Sequence, residues 1–194
     1  MSRKIAGLFV ATVLAAGWGG SAAGQSAEPT LVAEMRTICI ASQADFEGLA
    51  PARAQALGYK PLEGVPLTRE GDVQTAYAKD VAGQRWMVVV NRRVTPATTV
   101  TPSQVMVGCM VAGPDPDDAS AKALRAWVGV PSSGRSADQT QHLYVVRDGK
   151  RLPLDPNDNT AGLAALEQGG FWIMAIHSEG DQTRVVLALA QKAR

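Results

Sequence analysis

Arg85-Trp86-Met87-Val88-Val89-Val90-Asn91-Arg92-Arg93-Val94 is the stretch that decides the architecture. Trp86 to Val90 is apolar at every position, so neither side of such a strand suits water, and it belongs inside a covered sheet. It is entered from Thr75 to Asp80 through Val81-Ala82-Gly83-Gln84, which reads as a hairpin turn. Past Pro96 and Pro102 a further strand runs from Gln104 to Ala112, with Val105, Val107, Cys109 and Val111 on one face and Met106, Gly108 and Met110 on the other.

Working outward, the C-terminal half repeats the hairpin theme. Gln141 to Arg147 turns through Asp148-Gly149, a strong hairpin signal, into Lys150 to Leu154. Phe171 to Ser178 turns through Glu179-Gly180-Asp181 into Thr183 to Ala190. Helical spacing marks the segment from Leu31, with Leu31, Val32, Met35, Ile38 and Cys39 on one stripe. It marks Gln43 to Leu57 as well, where Pro51 requires either a start near that residue or two short turns. A third helix is expected from an Asp117 or Asp118 cap to Val128, and a short one from Thr160 to Gln168. Glu63 to Val73 and the Ser- and Gly-rich Pro131 to Asp138 read as loops, the latter the most flexible. The expected fold is α+β: a mainly antiparallel sheet of about seven strands with helices packed on one face.

At the start of the chain, Arg3 and Lys4 precede the apolar run Ile5 to Ala16 and the small residues Gly17 to Gly24. Residues 1–24 therefore read as a signal peptide cut near Gly24, because the apolar run falls short of the roughly 20 residues a membrane anchor needs. Residues 25–30 read as a flexible lead-in, and residues 31–194 as a single domain. The expected location is the periplasm or outside the cell.

Charge narrows the partners. The full chain carries 19 basic and 18 acidic residues. No dense basic face suggests nucleic acid, and no later segment suggests a membrane anchor after cleavage. Two cysteines, Cys39 and Cys109, in an exported chain predict a disulfide, since the apolar stripe carrying Cys39 packs naturally on the valine face carrying Cys109.

Motifs for chemistry are weak. Asp155-Pro156-Asn157-Asp158-Asn159-Thr160 opens like a calcium loop, but Thr160 stands at the turn glycine and Leu166 at the final bidentate position, so helix capping by Asp158 or Asn159 is the better reading. His142 and His177 lie in expected strands without metal-ligand spacing. Met35, Met106 and Met110 with a histidine would suit Cu(I), yet methionines at these spacings are expected to fill the core. Ser132 and Ser133 lack the setting of a hydrolase nucleophile, and no glycine-rich loop suits a nucleotide. No catalytic, cofactor-binding or metal residue is expected, and no cofactor.

Cys39-Ile40-Ala41-Ser42, a helix ending in Gly58-Tyr59, and Cys109-Met110-Val111 in a strand together resemble small exported alphaproteobacterial proteins. These share a Cys-x-x-Thr opening, a Gly-aromatic helix end and a later Cys-x-Val. Ser42 stands where the family usually has Thr, and Tyr59 where it usually has Trp. The resemblance implies a compartment and a disulfide, and nothing catalytic. The expected role is a non-catalytic binding or interaction module of the cell envelope, with an unknown protein or small-molecule partner. The alternative is a small periplasmic enzyme or metal-handling protein using His142 or His177.

Overall fold

The computed structural model describes residues 30–64, 72–136 and 138–193. The expected signal peptide and most of the lead-in lie outside those residues. Helix α1 (Thr30–Ile38) runs through a 3-10 turn at Ile40–Ser42 into α2 (Phe46–Ala56). Strands β1 (Lys60–Leu62), β2 (Val73–Val81), β3 (Gln84–Thr95) and β4 (Gln104–Pro114) follow, then α3 (Ala119–Val128). The chain continues through β5 (Gly134–Arg135), β6 (Gln139–Arg147), β7 (Lys150–Pro153), α4 (Asn159–Glu167), β8 (Phe171–Glu179) and β9 (Gln182–Lys192).

All nine strands join one antiparallel sheet in the order β1-β2-β3-β4-β9-β8-β6-β5, with β7 paired to β6. Among the described residues there are nine strands in place of the seven expected. The additions, β1 and β5, have three and two residues, too short to show period-two alternation in a sequence. β5 forms inside the segment expected to be the most flexible loop: Gly134 pairs with Gln141, and Ser133 N donates to Gln141 O at 2.8 Å. Both ends of the sheet are thus brief strands, a common way of blunting an edge against strand addition.

Cross-strand register sorts the side chains into two faces. Val90, Cys109, Leu187, Met174 and His142 form one row across β3, β4, β9, β8 and β6. Residues of α1, α2 and α3, among them Leu31, Met35, Phe46, Ala50 and Leu124, join that face in a single buried core. Cys39, just beyond α1, is bonded to Cys109 with the Cα atoms 5.5 Å apart, within the range a disulfide requires. Helix α4 stands apart: it contributes nothing to that core and buries Ala165 and Leu166 near β8 and β9.

Two helix starts differ from expectation. Pro51 lies inside an unbroken α2, whose first turn is held by Asp45 Oδ1 accepting from Gly48 N at 2.9 Å. Burial of Phe46, Ala50 and Ala54 helps offset the backbone bond that the proline removes. Asp118 occupies the cap position of α3 but makes no side-chain cap bond. The buried Asp115 carboxylate does that work, accepting from Ser120 N at 2.8 Å and Ala121 N at 3.0 Å.

Candidate functional site

Four elements meet in an aromatic cleft of about 800 Å³. The last turn of α3 supplies Trp127 and Val128, β6 supplies Tyr144, β7 supplies Arg151, and β8 supplies Trp172. Pairing of Tyr144 with Trp172 follows from the β6–β8 register. Trp172 is steadied from behind by Phe46, edge to face at 6.1 Å between ring centroids.

Arg151 is the organising residue. Gly129, at φ +69°, ends α3 and leaves its final carbonyls without helical partners. Arg151 Nη1 donates to Trp127 O at 2.7 Å and to Val128 O at 3.3 Å, placing a cation on the partial negative charge of the helix end. Its guanidinium carbon also lies 3.8 Å from the Trp127 ring centroid and 5.7 Å from that of Tyr144. Tyr144 is buried, and its hydroxyl finds no hydrogen-bond partner. Burial pushes the phenol's ionisation up, with Arg151 working against it, so the hydroxyl stays protonated near neutral pH. Lys150 adds a second cation at the rim, and among the described residues no carboxylate lines the cleft. Such a site has flat apolar walls and a fixed positive charge.

A second buried polar group ties α1 to the sheet. Glu34 Oε1 accepts from Lys79 Nζ at 2.6 Å, and that ammonium sits 4.3 Å from the Tyr59 ring centroid. Burial first, then the Glu34 carboxylate, pushes the Tyr59 phenol well above the ordinary tyrosine range.

The two histidines are kept apart. His142 is buried on the disulfide side, with Nδ1 3.0 Å from Val130 O and Nε2 without a partner. His177 is on the opposite face, with its ring nitrogens 3.6 Å from an Asp138 oxygen and 3.7 Å from a Glu179 oxygen. Among the described residues no group of three or more His, Cys, Asp and Glu is placed to hold a metal ion. Met35 lies in the core beneath α1, whereas Met106 and Met110 occupy the sheet face turned away from Cys109, so these thioethers do not converge. Asp158 caps α4, its Oδ1 accepting from Ala161 N at 2.9 Å. The Ser133 hydroxyl donates to Gln141 O at 3.2 Å.

Sequence reasoning missed Arg151, Tyr144 and Trp172 as a group. Nothing in local sequence pairs the end of α3 with the hairpin arm beyond Asp148-Gly149. No family model, curated protein or solved structure matches the chain.

Proposed function

We propose that the protein is an exported, non-catalytic binding module that takes a small planar anion in the aromatic cleft. One observation carries this reading: Arg151 is fixed between the α3 carbonyls and the Trp127 ring, in a cleft with no carboxylate among its described lining residues. A cation already oriented by packing meets an anionic ligand with little ordering cost, and the half-buried rings of Trp127 and Trp172 supply surface for a flat partner. Export is supported by the pattern of the first 24 residues and by the disulfide, a bond that persists in oxidising compartments. The short edge strands favour a small ligand over an added partner strand.

The test is isothermal titration with 2-naphthoate and 2-naphthylmethylamine, which share a ring system and carry opposite charges. Saturable binding of the carboxylate, at least tenfold tighter than the amine, is expected. Arg151→Gln should remove it, and Lys150→Gln, at an exposed position, should weaken it only a few fold. Equal binding of both probes, or binding indifferent to Arg151→Gln in a protein that still melts cooperatively, would defeat the proposal.

A further inference from the structure

The opposite sheet face holds a second cavity with contrasting chemistry. Leu143 opposes Ile173 and Phe171 opposes Ala190, which puts both side chains on the face turned away from the disulfide. Helix α4 stands over them, leaving a space of about 490 Å³ walled by Val100, Leu143, Leu154, Leu163, Leu166 and Phe171. That volume is in the range of small-molecule sites, about 300–1,000 Å³. These walls are mainly apolar, with Thr101, Gln104 and Asn159 also lining the space, and among the described residues no lysine, arginine or histidine lines it.

Two features suggest that the space is meant to be filled. Gly162 lies within α4 and lines the cavity, yet a Cβ built on it would meet nothing within 4 Å. Glycine inside a helix costs about 1 kcal/mol relative to alanine, and here neither close packing nor a positive φ requires it. What its missing side chain does is widen the cavity. Asp155 and Asp158, both exposed, also line the space: Asp155 Oδ1 accepts from Asn157 N at 2.9 Å and Nδ2 at 3.2 Å, Asp158 Oδ1 accepts from Ala161 N at 2.9 Å, and among the described residues neither Oδ2 has a hydrogen-bond partner. An anionic head group beside them would meet two like charges, and a cationic one two opposite charges.

We propose that this cavity binds the hydrocarbon chain of a cationic amphiphile, with its ammonium head beside Asp155 and Asp158. Hydrophobic burial supplies most of the affinity and the paired carboxylates supply the choice of head group. This site is independent of the aromatic cleft, so either assignment can fail without the other.

Isothermal titration with decyltrimethylammonium and with decanoate, both below their micelle concentrations, tests it. Saturable one-to-one binding of the ammonium probe, at least tenfold tighter than decanoate, is expected. Gly162→Phe should abolish binding by filling the cavity, while Gly162→Ala should retain it. Asp155→Asn combined with Asp158→Asn, which preserves the helix cap, should bring the two probes to within about twofold of each other by removing the charge preference. Failure of the ammonium probe to saturate, equal binding of decanoate to the unmodified protein, or a preference untouched by the double substitution would overturn the proposal. The double substitution keeps it falsifiable if Gly162→Phe does not fold.

Discussion

The two faces of the sheet are covered by different means. On one, three helices bury Leu31, Met35, Ile38, Ala50 and Leu124 to complete exclusion of solvent, and a disulfide joins the end of α1 to central strand β4. On the other, α4 buries two residues and leaves a cavity beneath it. The first arrangement concentrates stabilising contacts. That face carries the aromatic cleft only at its margin, where the end of α3 meets β6 and β7, whereas the second leaves a cavity directly between α4 and the sheet.

The largest expected effect tests the sealed face. Removing the bond with Cys39→Ser or Cys109→Ser should cost about 4 kcal/mol by the chain-entropy relation for a loop spanning a sequence separation of 70. In a domain this size that corresponds to a fall in melting temperature of roughly 10 °C, read by calorimetry. Alkylation of unreduced, denatured protein should add nothing; two adducts per molecule would show that the bond is absent. A drop below 2 °C in both variants would erase the contrast between the faces.

An alkaline titration sharpens the same contrast. Tyr59 and Tyr144, both in the sealed core, are held protonated by burial. Their folded values exceed the ordinary value of about 10, so the unfolded chain releases these protons first. Stability is therefore undiminished below about pH 10 and falls as pH rises from there toward the folded values. Tyr59→Phe should flatten that decline in urea melts recorded across the alkaline range; an unchanged slope would separate Tyr59 from it.

The smallest effect lies on the open face. Gly162→Ala adds a methyl group where nothing obstructs it and should stabilise the protein by up to about 1 kcal/mol. A loss of stability would mean that α4 is more tightly fitted than its surroundings indicate.

Much of this architecture was readable from residues close in sequence. Trp86 to Val90 required a covered strand, Asp148-Gly149 turns with both residues at positive φ, and Ala82-Gly83 does the same. The Cys39 stripe and the Cys109 valine face met as their periodicities demanded. What escaped depends on contacts between distant segments. Lys60–Leu62 is strand only because Ala76 to Ala78 offers a backbone to pair with, and Asp115 caps α3 only because the chain turns back before Ser120. The candidate site was less legible still. Arg151 meets Trp127 through a tertiary contact without local periodicity, and the cavity beside Gly162 is a property of packed elements that no residue announces.

The seam between β4 and β9 has a consequence for timing. These two strands pair over their whole lengths, from Gln104 against Lys192 to Pro114 against Gln182, and they occupy the middle of the sheet. The halves on either side can form their hairpins early, but the domain has no continuous centre until a late segment of the chain docks against one made long before. Such distant pairing slows folding, because the ends of a long loop must be brought together before any contact rewards the search. On the export route proposed for the chain, a polypeptide threaded unfolded through a pore would gain from that delay, remaining passable while β9 is still on the near side and becoming a barrier to its own return once the last strand has crossed.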